Sequence, residues 1–84
     1  MYEIIFDEEA IEFLNTLTKE IKERIFRKII STKENPFHFF ERLSGRSEYK
    51  LRIGDYRVIA DIDQGTKKVN ITFVGHKKKV YNLI

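Results

Sequence analysis

The chain has 84 residues, no cysteine and a formal net charge of +3. This length suits one small domain over residues 1–84, and the lack of cysteine excludes disulfides, thiol catalysis and cysteine-based zinc sites. No apolar run approaches the ~20 residues that cross a bilayer, and the N-terminus lacks the pattern of a secretory signal. We therefore expect a cytoplasmic protein that does not contact a membrane.

The N-terminal half of the chain predicts one strand followed by two helices. The run from Tyr2 to Phe6 is rich in β-forming side chains, and Asp7 after it is a good helix N-cap. Apolar residues then recur at helical spacing as far as Leu17. Thr18 can cap a second amphipathic helix, which should end before Asn35-Pro36 because the residue before a proline disfavours helical geometry. The two helices form a predicted helical hairpin.

The C-terminal half predicts three strands after an irregular segment from Phe37 to Arg46. The phenylalanines of that segment are expected to pack under the sheet, with stacking on nucleic-acid bases as the alternative. The strands cover Glu48–Ile53, Tyr56–Ile62 and Lys68–Val74, and Gly75 is expected to end the last one. The whole order predicts an α+β fold: an N-terminal strand, a two-helix hairpin and an antiparallel three-strand meander form one sheet with the helices packed on one face.

The hairpin from Tyr49 to Ile59 carries the most informative functional signal. Gly54-Asp55 suits a two-residue type II′ turn, which places Arg52 opposite Arg57. Since side chains alternate across a strand, Lys50 and both arginines then share one face, and apolar side chains share the other. Like charges directly opposite each other are destabilising. This cationic face predicts a polyanionic ligand, and an ordinary solvated face is the alternative.

Charge is also unevenly distributed along the chain. Acidic residues outnumber basic ones as far as Glu41, and basic residues outnumber acidic ones from Arg42 onward. Such an asymmetry indicates an anionic partner on one side of the molecule. The basic tail after the last strand adds His76, Lys77 and Tyr81 to the phosphate-directed set. Each of these three alone is equally compatible with an ordinary surface or packing role, so the prediction depends on their convergence with the hairpin.

Such a set can cleave RNA without a metal or another cofactor. The 2′-hydroxyl of RNA attacks its adjacent phosphate, which requires a base, an acid and cations that stabilise the developing negative charge. Arginine suits the last task because its planar fork binds phosphate oxygens bidentately. A lysine among other cations can act as the base, because positive neighbours favour its neutral form. Tyr81 or His76 can orient the phosphate or transfer a proton.

The chain resembles the RelE/ParE toxin superfamily over nearly its whole length, and it is more similar to the RelE branch, including archaeal RelE proteins, than to the ParE branch. The matching segments are Leu43-Ser44-Gly45, the hairpin from Tyr49 to Ile59, Val74-Gly75-His76-Lys77 and Val80-Tyr81. The resemblance implies a ribosome-dependent, metal-independent endoribonuclease that cleaves mRNA in the ribosomal A site and inhibits translation. It also implies neutralisation by a RelB-like antitoxin, through which the complex would bind operator DNA.

The resemblance also implies roles for single residues. Arg57 would stabilise the phosphate, Lys50 would act as the base, and Lys77 would act on the leaving-group side, where the family often has an arginine. Tyr81 would orient the substrate base, and His76 is an additional candidate for proton transfer. The remaining predicted RNA contacts are cations: Arg46, Arg52, Lys78 and Lys79.

Two other functions are compatible with the same resemblance. One is a ParE-like toxin that inhibits gyrase by protein binding rather than catalysis. The other is a catalytically weak or inactive toxin homologue that binds the antitoxin and acts as a co-repressor partner.

Overall fold

The computed structural model describes residues 1–83, and for residues 81–83 it describes only the backbone. The chain forms a mixed sheet and several short helices. No helix in residues 1–83 has the length and apolar character that crossing a membrane requires. The elements in chain order are β1 Glu3–Phe6, α1 Glu8–Leu14, α2 Lys19–Ile30, α3 Pro36–Phe39, β2 Glu41–Arg42, β3 Tyr49–Ile53, β4 Tyr56–Asp63, β5 Lys68–His76 and α4 Lys77–Leu83.

The strand order in the sheet is β1-β5-β4-β3-β2. The predicted α+β class, the helical hairpin and the antiparallel meander of β3, β4 and β5 are confirmed. β1 pairs in parallel with β5, and the helices carry the chain from β1 to β2 at the opposite edge of the sheet. The strand β2, which was not predicted, extends the opposite edge beside β3. Its two residues are too few to produce a recognisable alternation of polar and apolar side chains.

The helices begin where predicted, but both end earlier, α1 at Leu14 although the helical spacing continues to Leu17. Asp7 has an extended backbone before α1, and the hydroxyl of Thr18 accepts a hydrogen bond from the Ile21 N–H at the start of α2. α2 ends at Ile30 rather than before Asn35. The hydroxyls of Ser31 and Thr32 each donate to a carbonyl of its last turn, at 2.6 Å in both cases. Such local hydrogen bonds compete with continuation of the helix.

The main core lies between the helical hairpin and one face of the sheet. The apolar hairpin face predicted from alternation is confirmed, because its side chains all belong to this core or pack against it. The fully buried side chains that fill the core come from both layers: Ala10, Ile25 and Ile29 from the helices, and Val58, Ala60, Val69 and Ile71 from the strands. Burial of this kind fixes which sheet face remains for polar side chains.

A second, smaller apolar cluster lies on the opposite face of the sheet. It contains Leu43, Ile59 and Val80, with Phe73 packed against it. Val80 belongs to α4, so this helix covers part of the face that carries the hairpin cations. The C-terminal tail is therefore a packed helix, and its first residue follows β5 directly.

Gly75 does not end the last strand, contrary to the prediction. β5 continues through it to His76. A Cβ atom at Gly75 would lie 2.7 Å from the ring of Phe73. The glycine is therefore required for close packing of an aromatic ring within the strand, which is the other common reason for a glycine in a sheet.

Candidate nucleic-acid interface

The β3–β4 hairpin has the predicted register. Arg52 lies opposite Arg57, and Ile53 lies opposite Tyr56 at the turn. Gly54 has a φ of 56°, while Asp55 is not among the residues with positive φ. These angles agree with a type II′ turn, in which glycine occupies the first central position. The turn thereby places two cationic side chains directly opposite each other on one face of the sheet.

Arg57 is the one charged side chain that is buried among residues 1–80, with an exposed fraction of 4%. Its Nη1 atom donates hydrogen bonds to the carbonyl oxygens of Gly54 and Tyr56, each at 2.8 Å. A buried charge requires such hydrogen bonds. These two hydrogen bonds orient the guanidinium group relative to the hairpin turn. Arg57 is thus a positioned cation rather than a mobile surface side chain.

Arg57 has cations beside it on β3 and a glycine opposite it on β5. Arg52 on β3 is exposed, and Lys50 on the same face is half-buried. On β5 the residue opposite Arg57 is Gly75, which has no side chain. The space that a side chain would occupy there is filled by the ring of Phe73. The predicted grouping of Lys50, Arg52 and Arg57 on one face is therefore present.

Lys77 is bound to the same hairpin turn, although it lies on α4. Its backbone N–H donates to the carbonyl oxygen of Asp55 at 2.8 Å. Its Nζ atom lies 3.5 Å from Oδ1 of the same aspartate. The start of α4 is thus fixed to the turn whose Gly54 carbonyl holds Arg57, and the structure brings Lys77 to this end of the cationic face.

His76 is separated from Arg57 by the sheet. It lies opposite Tyr56, and the two rings are in an edge contact with centroids 5.9 Å apart. Its Nδ1 atom accepts a hydrogen bond from the Lys78 N–H at 3.3 Å. Because Tyr56 faces the main core, His76 lies on the face opposite to the cations. Tyr81 lies on α4, and its side chain is outside the described residues.

The other predicted RNA contacts differ in their availability. Arg46 forms a bidentate ion pair with Glu48, with N–O distances of 2.7 and 3.1 Å. This hydrogen-bonded pairing raises the pKa of Arg46 and lowers the pKa of Glu48. The fork of Arg46 is therefore already occupied by a carboxylate. Lys78 and Lys79 are exposed on α4.

A cleft of about 510 Å³ adjoins the cationic face at the edge of β3, and we call it the α3 cleft. The sequence prediction missed it because residues 37–46 were treated as irregular. Pro36 was an available signal, since proline is favoured in the first turn of a helix. The residues that line the cleft include Lys28, His38, Phe39, Glu41, Lys50, Arg52 and Arg57.

The three phenylalanines near the α3 cleft differ in burial. Phe40 is buried in the main core and Phe39 packs against it, as predicted for this segment. Phe37 is exposed, with edge contacts to the rings of Tyr2 and Tyr49. The ring of Phe39 lies 4.9 Å from Nζ of Lys28. A cation and an aromatic ring thus meet directly at the wall of the cleft.

A family model described as the ParE toxin of type II toxin–antitoxin systems, parDE, matches residues 4–81 of the chain. The match therefore includes the hairpin, the preceding helices and most of α4. No match was found among curated protein sequences.

Solved structures of RelE toxins share the fold of this chain. The RelBE2 complex from Mycobacterium tuberculosis has a TM-score of 0.80 at 23% identity, covering 89% of this chain and 96% of that chain. The archaeal RelE–RelB complex from Pyrococcus horikoshii has a TM-score of 0.78 at 23% identity, covering 90% and 94%. The intact RelBE complex from E. coli has a TM-score of 0.77 at 23% identity, covering 90% and 96%. At these identities the similarity establishes the fold.

Proposed function

The chain belongs to the ParE toxin family of type II toxin–antitoxin systems, within the RelE/ParE superfamily, and on that premise we propose that it is a ribosome-dependent mRNA endoribonuclease. Cleavage in the ribosomal A site would inhibit translation. The observation that carries the proposal is the buried guanidinium group of Arg57, which two carbonyl groups hold in place beside other cations. A protein surface that only attracts RNA has no need to bury and orient one arginine in this way.

The proposed reaction is attack of an RNA 2′-hydroxyl on the adjacent phosphate. The oxygen of the 2′-hydroxyl forms a bond to phosphorus, the bond to the 5′-oxygen breaks, and a 2′,3′-cyclic phosphate is left. The proton of the 2′-hydroxyl passes to a base, and the leaving 5′-oxygen accepts a proton from an acid. Negative charge develops on the phosphate oxygens, where a preorganised cation stabilises it most effectively.

We propose the roles that the family resemblance implies for the cationic residues and for Tyr81. Arg57 stabilises the charge on the phosphate oxygens, and Arg52 opposite it binds the RNA backbone. Lys50 acts as the base, and Lys77 acts on the leaving-group side from its place at the turn. Tyr81 orients the substrate base from α4. His76 is not included, because it faces the opposite side of the sheet.

The proposed partners follow from the family and from the solved complexes. The similar structures named above contain RelE with RelB. We expect a RelB-like antitoxin to neutralise this chain, and the antitoxin to carry the complex to operator DNA. The ribosome and its mRNA are the proposed targets, and no step of the proposed reaction uses a metal or another cofactor.

Primer extension on a translating mRNA tests the proposal. We expect cuts within codons that disappear when ribosomes are omitted. Arg57→Ala should lower cleavage about 10²- to 10³-fold, as loss of a transition-state hydrogen-bond donor does in other enzymes. Lys68→Ala, at the opposite end of the sheet, serves as the control and should cleave as the wild type does. Full toxicity of Arg57→Ala would overturn the proposed site.

Inhibition of gyrase is the second candidate function, and the description of the matching family as ParE toxins favours it. The cationic face with opposed arginines argues against it, because inhibition by protein binding gives no reason for that arrangement. A supercoiling assay with purified gyrase distinguishes the two. Double-strand breaks together with intact mRNA would favour gyrase.

A further inference from the structure

We propose that the α3 cleft binds one RNA nucleotide next to the phosphate that Arg57 contacts, so that this cleft reads the base beside the cleavage site. The inference rests on the proposed function, because the two sites share Lys50, Arg52 and Arg57 in their walls. The continuity of the walls means that an RNA strand bound at Arg57 has its next nucleotide within reach of the cleft.

The open edge of β3 gives this cleft its means of recognising a base. β2 pairs only with Tyr49 and Lys50, so that in the described residues no strand lies beside the rest of β3 on that side. In a hairpin with a two-residue turn, the pair that flanks the turn is hydrogen-bonded and the next pair is not. That next pair includes Arg52. Its backbone N–H and C=O therefore point away from β4 and toward the open edge.

One donor and one acceptor on a strand edge are complementary to the Watson–Crick edge of a base. Single-stranded RNA presents such edges once its bases are unstacked. The backbone groups of Arg52 can therefore discriminate between bases, while its side chain and that of Arg57 hold the phosphate. Backbone recognition of this kind does not depend on the identity of the side chain, which explains why it leaves no motif in the sequence.

Aromatic rings on α3 supply a stacking surface. His38 is exposed and Phe39 is half-buried, and their rings meet edge to face with centroids 5.0 Å apart. Unstacked bases bind to such rings in many proteins that recognise single-stranded nucleic acid. His38 has an exposed ring without a place in the core, so it is the residue of this pair that a bound base would contact.

The charge of the cleft fits a nucleotide. Among the described residues that line it, four are cations and Glu41 is the one acidic residue. Glu41 lies opposite Lys50 in the β2–β3 pair, where opposite charges stabilise each other. Lys28, which lines the cleft beside Phe39, can then bind a phosphate of the flanking nucleotide.

The size of the cleft limits its occupant. The cleft has a volume of about 510 Å³, which lies within the range of sites for small ligands, roughly 300–1,000 Å³. It can accommodate one nucleotide but not a helix or a duplex. The other occupant with suitable charge is an acidic peptide, and the experiment below includes it as an outcome.

The binding experiment uses a 2′-O-methyl trinucleotide, which cannot be cleaved because the attacking hydroxyl is blocked. Fluorescence anisotropy measures its affinity for the wild-type chain, His38→Ala and His38→Phe. Loss of one stacked base should weaken binding about 5- to 100-fold in His38→Ala, and His38→Phe should restore it because the ring is retained. Lys28→Ala should lower the slope of log affinity against log salt concentration by about one unit.

The cleavage experiment separates this inference from the proposed function. On translating mRNA, His38→Ala should change which bases flank the cuts, whereas Arg57→Ala should reduce all cuts without changing their sequence. If the wild type does not cleave, the proposed function fails, but the trinucleotide still decides whether the cleft binds a nucleotide.

Two results would overturn the nucleotide site. One is wild-type affinity and wild-type cut sequences in both His38→Ala and Lys28→Ala. The other is binding of an octaglutamate peptide that depends on His38, with no binding of the trinucleotide, which would identify the cleft as a peptide site.

Discussion

The two turns of the β3–β4–β5 meander lie at opposite ends of β4 and are built in different ways. The turn between β4 and β5 is stabilised by its own residues: Oδ1 of Asp63 accepts hydrogen bonds from the N–H groups of Gly65 and Thr66, at 2.9 and 3.3 Å. The turn between β3 and β4 is instead contacted by distant parts of the chain. Arg57 and Lys77 bind its carbonyl groups, and the guanidinium group of Arg24 on α2 lies over Gly54.

This difference between the two turns explains why cations of several elements gather at the β3–β4 turn. A turn that is stabilised by its own residues needs only the few side chains inside it. A turn contacted by α2, β4 and α4 gathers the cations of those elements at one end of the sheet, which is the end where we propose RNA cleavage. The four predictions below test that contrast, from the largest expected effect to the smallest.

The first prediction concerns the shape of the cation at the β3–β4 turn. Arg57→Lys keeps the charge but loses the planar guanidinium group, whose Nη1 atom donates to two carbonyl oxygens. We expect mRNA cleavage to fall about 10²-fold or more. Arg52→Lys, on the facing strand and exposed, is the matched control and should change cleavage far less. Equal effects in both variants would mean that charge alone matters at this turn.

The second prediction separates a catalytic role of Lys77 from its ion pair. Lys77→Ala removes both, whereas Asp55→Ala removes only the partner of the lysine. We expect Lys77→Ala to reduce cleavage about 10²-fold, as loss of a proton donor does, and Asp55→Ala to remain active. Both variants should lose at most about 1 kcal/mol of stability, because the pair is exposed to solvent. Similar loss of cleavage in the two variants would indicate that the ion pair acts structurally.

The third prediction concerns the backbone of the β3–β4 turn. Gly54 has a φ of 56°, so Gly54→Ala should lower the free energy of unfolding by about 1–3 kcal/mol in urea titrations. Gly45→Ala is the control, because Gly45 has a φ of 72° and open space around it. Only Gly54→Ala should also reduce cleavage, since it displaces the carbonyl that holds Arg57. Unchanged cleavage in a folded Gly54→Ala variant would contradict the role of the turn in positioning that arginine.

The fourth prediction concerns the β4–β5 turn and should have the smallest effect. Hydrogen bonds from Thr66 and then Gly65 hold the pKa of Asp63 below its usual range. A carboxylate with a lowered pKa in the folded state stabilises the protein above its unfolded pKa, and this contribution is lost as pH falls through the folded pKa. Asp63→Ala should therefore be less stable than the wild type near neutral pH, and the difference should narrow in acid.

Thermal unfolding across the acidic range measures this difference, and cleavage at neutral pH should remain at the wild-type level in Asp63→Ala. Glu48→Ala is a useful second variant, because Glu48 also has a lowered pKa but lies near the β2–β3 pair. Glu48→Ala should still show the loss of stability in acid that comes from the Asp63 carboxylate. A constant difference between wild type and Asp63→Ala at all pH values would show that the turn does not depend on the charge of the carboxylate.

The hairpin was predictable from sequence because its determinants are local. A glycine that permits positive φ and a strict alternation of side chains fix both the turn and the register. The opposition of Arg52 and Arg57 then follows without knowledge of the rest of the fold. The buried faces of the two helices, which carry Ala10, Ile25 and Ile29, follow in the same way from helical spacing.

The sequence prediction failed where a residue acts through distant contacts. Gly75 was predicted to end the last strand because glycine often does so, but here it permits close packing of the Phe73 ring within a continuous strand. His76 was grouped with the cations as part of a tail after the last strand, but it is the final residue of β5. A strand reverses its faces at each residue, so adjacent residues at the end of β5 need not reach the same site.

The sequence by itself determined the α+β class, the register of the hairpin and the cationic character of one sheet face, because each depends on periodicity over a few residues. The tertiary structure alone decided that Arg57 is buried against the turn carbonyls and that Lys77 returns to the same turn. It also decided that the α3 cleft opens beside Lys50. These features require α2, α3, β2 and α4 to lie against different parts of the hairpin, and packing between elements far apart in the chain leaves no local pattern in the sequence.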